Sequence, residues 1–362
     1  MCATHQRNSS VVPPERQLPP ALAAESRNYL PIRLEMVQPG TAAPFDLYRH
    51  DGASGLYVLH KAANRLLSVE ARNRLVQNGV TELYMQREDE DKFFQWAHDS
   101  IQSLIREGPL EVDETWSLVH ETTVRAIRRV FDSPTSGDQI RNAQRMAAAV
   151  VKMALRDEDP LKHLADLLAY DHRTYTHSVD ACVMTVAACK DVLGITGTVT
   201  LREVATGALF HDIGMTQLPA NICAAPEQLS GEERDLYERH PVLGLEIVQG
   251  EIELGNVATS LIRHHSERQE GGGYPDGVPT RELPEAVRLM AIIDLYDKLT
   301  TLGREGAALD PFTALDRMIR DMPGRFDMAL LREFVRYLGP DSPGSRKPEV
   351  DQSSTKVAQA SA

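Results

Sequence analysis

LREVATGALFHDIGMTQLP, residues 201–219, is the stretch on which the fold turns. Leu201, Val204, Ala205 and Ala208 recur at helical spacing, and Asp212 lies one further i+4 step along the same face. The spacing predicts a carboxylate turned inward at the end of an apolar helix, with His211 beside it. AVRLMAIIDLYDKL (286–299) repeats the arrangement, since Val287, Met290 and Ala291 define a face that Asp294 shares. In NVATSLIRHH (256–265), Val257 and Leu261 are followed at the next i+4 step by His265.

Inward-facing carboxylates in apolar helices are costly unless something positive compensates them. Buried salt bridges would do so, but no lysine or arginine reads as sharing those faces, whereas histidines do. A metal cation held by both groups answers the pattern. Six of the twelve histidines (His172, His177, His211, His240, His264 and His265) fall within 94 residues, too many for one four-coordinate ion and about enough for two. Imidazoles with bridging carboxylates suit Fe, Mn or Zn better than Mg or Ca, and a pair of ions is the general device for in-line attack on phosphorus.

The rest of the chain frames that centre. With 362 residues and 42% hydrophobic content there is material for more than one core. Lys and Arg total 39 against 52 Asp and Glu, a formal charge of -13, which argues against a nucleic-acid polymer as partner. No apolar run is long enough for membrane insertion, and the start lacks the apolar stretch of a signal peptide, so the expected location is the cytoplasm. Cys182 and Cys189 lie seven apart in one helical pattern and read as reduced core residues.

Residues 1–27 and 341–362 are rich in Pro, Ser and charge without periodicity and read as disordered tails. Residues 28–108 read as a small α/β regulatory module: YLPIRLEMV, FDLYRH, GLYVLH and TELYMQ as strands, VEARNRLVQNG as a helix capped by Gly79, and DEDKFFQWAHDSIQSLI as an exit helix. Residues 109–160 read as a helical connector able to build a homodimer, and 161–340 as a helical bundle. Thr200 with Glu203, and Ser230 with Glu233, have the spacing of capping boxes.

After the double histidine, SERQEGGGYPDGVP places Gly271, Gly272, Gly273, Pro275, Gly277 and Pro279 in a stretch that forbids regular structure, with Tyr274 available to stack on a base. In order, YTHSV, ALFHDIG, LSGEERDLYERHPVLG, RHHSERQEGGGYPDG, RLMAIIDLYDKLTT and GRFDMALLREFVRYLG resemble the HD-GYP cyclic di-GMP phosphodiesterases, a branch of the HD metal-dependent phosphohydrolases. The resemblance runs from about Tyr170 to Gly339 and implies a mainly α protein whose C-terminal part is an all-helical HD-GYP bundle. It also implies hydrolysis of cyclic di-GMP, or a related cyclic dinucleotide, to linear pGpG or onward to GMP in bacterial second-messenger signalling, with protein partners in that pathway.

Carried over residue by residue, it implies that His177, His211, Asp212 and Asp294 hold one divalent ion, iron or manganese, and that Asp212 again, with His240, His264 and His265, holds the other. Asp212 would bridge both ions and the attacking hydroxide, while Gly273, Tyr274, Pro275 and Arg304 would face the substrate. Arg173 stands where some members have a glutamate for a third metal, so two ions are expected. Three departures stand out. Met215 replaces a lysine that contacts phosphate or hydroxide, which would slow the reaction. Only Arg304 remains of a basic pair. The spacing from the double histidine to Tyr274 is one residue longer than usual, with Ser266 as the extra residue. The alternatives are a degenerate domain that binds metal and dinucleotide for regulation, and a hydrolase of another nucleotide.

Overall fold

The computed structural model describes residues 28–108, 110–161, 174–224, 226–301 and 308–339. Both expected tails, His172, Arg173 and Arg304 lie outside them. The chain divides into two compact units between Phe93 and Phe94. That boundary falls inside the exit helix, fifteen residues before the expected end of the module at 108.

The first unit is an antiparallel sheet in the order β1-β4-β2-β3, with β1 Tyr29–Arg33, β2 Leu47–Asp51, β3 Leu56–Lys61 and β4 Glu82–Gln86. Period-two alternation buries Ile32, Leu47, Leu83 and Met85 with Phe45, Phe93 and Leu75. The alternate residues form an aromatic layer in which Tyr29 stacks on Tyr57 at 4.1 Å, and Tyr84 meets Tyr57 edge-on at 5.0 Å. YLPIRLEMV is not one strand: after Arg33 it turns into a 3-10 helix, Leu34–Met36. Met36 and the following Val37 are both buried, which a strand with alternating faces does not allow. The helix α1 (Val69–Gln77) ends as expected. Gly79 takes φ +70°, its N–H bonds Val76 O, and Val80 N–H bonds Leu75 O at 3.0 Å, the paired bonds of a Schellman cap.

From α2 (Glu90–Glu107) onward the regular elements among the described residues are all helices. The helices α3 (Val112–Asp132) and α4 (Gly137–Arg156) are not a free connector. Both pack on α5 (Thr174–Asp191), and α4 also packs on α6 (Thr198–Phe210), burying Trp116, Val119, Ile127, Met146, Val150 and Met153. Their apolar faces are thus spent inside the bundle. At its centre α5 is buried all round, with every residue from Val179 to Cys189 almost fully enclosed, Cys182 and Cys189 included as free thiols and Asp180 paired with His120 Nε2 at 2.7 Å.

Around α5 and α6 stand α9 (His240–Gln249), α10 (Asn256–His264), α11 (Glu285–Thr300) and α13 (Met328–Leu338). The short helices α7 (Ala220–Ala224) and α8 (Gly231–Tyr237) lead into α9, and α12 (Pro311–Arg320) packs on α11. Ser230 is the N-cap of α8, but its side chain makes no capping bond. Thr200 caps nothing: α6 begins two residues earlier, and Glu203 accepts a bond from Val257 N at 3.0 Å across the bundle. A capping box does close α3, through Glu111 and Glu114. No helix among the described residues is long and apolar enough to cross a membrane.

Candidate metal centre

Apart from Asp294, each candidate ligand sits at or near an end of the described part of a helix, where the chain can turn polar without breaking an apolar face. His177 lies in the first turn of the described part of α5, and Asp294 lies on α11. His240 opens α9. His211 follows the last residue of α6, and Asp212 leads a 3-10 turn, Ile213–Gln217. Asp212 is therefore delivered by the loop after α6 and not by the helix face that pointed to it. Gly214 makes that turn possible: a Cβ there would sit 2.0 Å from the carbonyl oxygen of His240, so only glycine lets the turn lie against α9.

Two groups of donor atoms result, His177, His211, Asp212 and Asp294 in one and Asp212, His240 and His265 in the other, each within 4.8 Å and all buried. Asp212 is common to both. Its Oδ2 is 3.3 Å from His211 Nε2, and its Oδ1 is 3.4 Å from His240 Nε2 and 3.6 Å from His265 Nε2. Asp294 Oδ1 lies 3.0 Å from His177 Nε2 and 3.2 Å from His211 Nε2.

The imidazoles are aimed from behind. Nδ1 of His211 donates to Ala208 O at 2.7 Å, that of His240 to Tyr237 O at 2.9 Å, and that of His265 to Ile262 O at 3.0 Å. His177 uses a carboxylate instead, donating from Nδ1 to Asp297 Oδ2 at 2.5 Å. With Nδ1 committed, Nε2 of a neutral ring presents a lone pair, and these lone pairs converge. His177 and His211 bring Nε2 atoms within 3.3 Å, and His240 and His265 within 3.1 Å. Facing lone pairs at such distances repel unless a proton or a metal lies between them. Donors about 2.1 Å from one ion stand roughly 3.0–3.4 Å apart, so the spacings fit divalent ions. Both carboxylate oxygens of Asp212 are buried without a hydrogen-bond partner, which a bridging position between two ions would relieve.

The local field points the same way. Burial opposes charging His211, but the carboxylates of Asp212 and Asp294 outweigh it and hold its pKa up at about 10. Burial and the neighbouring His211 and His240 push His265 down to about 3. Burial alone would raise Asp212 and Asp294, yet His211 and Lys298 hold both well below the usual carboxylate range. The metal-free centre thus keeps a proton on His211 that a cation would replace.

His264 differs from its expected place. Its Nε2 lies 3.0 Å from Asp276 Oδ2, and Arg263 grips the same carboxylate at 2.7 Å. One residue before His265 on α10, it points about 100° away around the helix. The extra residue before Tyr274 now reads differently: shifted by one, the pair becomes His265 and Ser266, the usual spacing returns, and a serine stands at the second position.

Lys298 was missed. It stands i+4 from Asp294 on α11, with Nζ 2.8 Å from Asp294 Oδ1 and 3.5 Å from Asp212 Oδ2, so the aspartate faces do have a cationic neighbour. The signal was the plain i, i+4 spacing. Asp297, which orients His177, was also missed.

The glycine-rich loop folds back on itself beside the second group. A Cβ on Gly273 would lie 2.5 Å from Glu267 Cα, and Glu267, buried, accepts from Asp276 N at 2.8 Å. Tyr274 precedes Pro275 across a cis peptide bond and meets the His240 ring edge-on at 5.8 Å. It packs on an apolar cluster of Met215, Leu218, Ile222 and Tyr237.

This helical bundle with a buried His/Asp centre defines a class. The HD domain family model matches residues 139–330, more than half of the chain, and the chain belongs to that family. The match begins inside α4, which places that helix within the family's domain.

Among relatives, a cyclic di-GMP phosphodiesterase of Pseudomonas aeruginosa is 29% identical over 216 residues, covering 59% of this chain and 51% of that protein. The cyclic di-GMP phosphodiesterase response regulator RpfG of Xanthomonas campestris is 28% identical over 160 residues, covering 43% and 41%. The chain thus spans about half the length of these curated relatives, or less. A solved HDGYP protein of Bdellovibrio bacteriovorus superposes with a TM-score of 0.59 at 18% identity, covering 84% of this chain and 98% of that one, a likeness of fold.

Proposed function

We propose that this chain is a metal-dependent phosphodiesterase that hydrolyses cyclic di-GMP to pGpG, and onward to GMP where the site admits the linear product. The observation that carries the reading is Asp212, a fully buried carboxylate with no hydrogen-bond partner, flanked on each oxygen by an imidazole Nε2. His177, His211, Asp212 and Asp294 would hold one ion, iron or manganese, and Asp212, His240 and His265 the other. Bound there, such ions supply Lewis acidity toward a phosphoryl oxygen and lower the pKa of water.

The protein's own part is orientation and exclusion. Asp297 fixes the ring of His177, and backbone carbonyls fix the other three. Tyr274, with Gly273 and Pro275, walls the side next to His240 and offers an aromatic face to a guanine. His264 enters this reading as a holder of Asp276 and the loop. The relatives named for cyclic di-GMP support the substrate, and the net charge of -13 makes a small, locally held anion a better partner than a polymer.

The test is chromatographic product analysis of cyclic di-GMP incubated with protein loaded anaerobically with Mn(II) or Fe(II), with metal determined on the same sample. The expected result is pGpG or GMP, abolished in Asp212→Ala. Fully metallated protein that leaves cyclic di-GMP intact would replace this reading with that of a binding domain.

A further inference from the structure

The resemblance puts a substrate-contacting lysine at position 215, and Met215 cannot serve. Met215 is 5% exposed, packed with Leu218, Ile222 and Tyr237, with Sδ 4.0 Å from Cys223 Sγ. Lys298 reaches the same centre from another helix. Its Nζ lies 2.8 Å from Asp294 Oδ1 and 3.5 Å from Asp212 Oδ2, and among the described residues it is the only lysine or arginine within ion-pair distance of either.

The two carboxylate side chains are 11% and 1% exposed, whereas that of Lys298 is 29% exposed. The lysine is thus the most solvent-exposed of the three side chains, in a site that a substrate must reach from solvent. It has a flexible four-carbon stem, and against burial the carboxylates of Asp212 and Asp294 hold its pKa above the usual lysine value.

We propose that Lys298 is the phosphate-holding cation of this site: its ammonium neutralises Asp212 and Asp294 in the metal-free protein and turns to the substrate's phosphodiester once divalent cations take the carboxylates. Like-charge repulsion drives the ammonium off the carboxylates, and its stem carries it to the open face. A phosphodiester oxygen is then the nearest strong acceptor. This inference rests on the phosphodiesterase reading for the identity of the nucleotide, but not for the charge and geometry that aim the lysine.

The full chain, Lys298→Met and Lys298→Arg are compared, with thermal unfolding run alongside. Mn(II) affinity is measured first, without any phosphate. Lys298→Met is expected to bind Mn(II) about tenfold more tightly, because a tethered competitor has gone, and Lys298→Arg to stay near wild type. Inorganic phosphate and a hydrolysis-resistant phosphorothioate analogue of cyclic di-GMP are then titrated into the Mn-loaded proteins. Both are expected to bind about tenfold more weakly to Lys298→Met, with most of the affinity restored in Lys298→Arg.

Phosphate affinity in Mn-loaded Lys298→Met equal to wild type, at equal metal content, overturns the proposal. If phosphate binding depends on Lys298 while the wild type neither binds nor cleaves the dinucleotide, the lysine's role stands and the cyclic di-GMP reading falls.

Discussion

The two halves of the centre share Asp212 but are built differently. On the His177 side, four donors converge, one of them is aimed by the carboxylate of Asp297, and an ammonium stands ready at the rim. On the His240 side there are three donors, and both imidazoles are aimed by backbone carbonyls alone. A carboxylate behind an imidazole raises its basicity more than a carbonyl does, and each additional donor tightens a site. One ion should therefore be held firmly and the other loosely, and residues outside the donor set decide how far apart the two affinities lie.

The largest expected effect breaks both halves together. Asp212→Ala should strip most of both ions and lower turnover by on the order of 10³-fold or more, read by metal analysis and product formation. Retention of two equivalents would mean that Asp212 bridges nothing. Asp297→Ala should act on one half only, weakening the tighter Mn(II) step by about 10–100-fold and leaving the weaker step in place. A titration in which both steps move equally would dissolve the distinction between the halves.

Met215→Lys tests the resemblance against the packing. A lysine forced into the cluster of Leu218, Ile222 and Tyr237 should cost about 1–3 kcal/mol of stability, seen in chemical denaturation, without raising turnover. A faster enzyme of unchanged stability would show that the lysine reaches the site after all.

The pKa of His211 is raised from its usual 6.5 to about 10, so its contribution to the metal-free fold is fully present below pH 6.5 and is lost as pH rises through about 10. Chelated protein should accordingly lose thermal stability between pH 6.5 and 10, more than His211→Gln does over the same range. Equal pH profiles for the two would remove His211 as the proton carrier. The smallest expected effect is that of His264→Ala, which should retain both ions; loss of the second would restore it to the donor set.

Much of this was legible in the sequence because burial and period coincide there. The four strands of the first unit, the Gly79 cap and the inward-facing Asp294 follow from local rules, and Asp212 is buried as its spacing implies although the loop after α6 delivers it. What escaped reading depended on angle or on partners far away. His264 and His265 look alike as a pair, yet one step along a helix separates a group facing Asp212 from one facing Asp276. Glu203 had the spacing of a cap but was claimed by Val257 N, fifty-four residues on. The apolar faces of α3 and α4 could have joined any surface, and only the packing on α5 assigns them to the bundle. Lys298 was legible and overlooked, since i+4 from a buried aspartate is a position that sequence alone identifies.

The most direct test of a bridged and unequal centre is a Mn(II) titration of the metal-free chain followed by electron paramagnetic resonance. Two ions bound in two resolved steps, the second at least about tenfold weaker, with a spin-coupled signal appearing only as the second step fills, is the result this structure predicts. A single equivalent, or two equal and uncoupled ions, would contradict it.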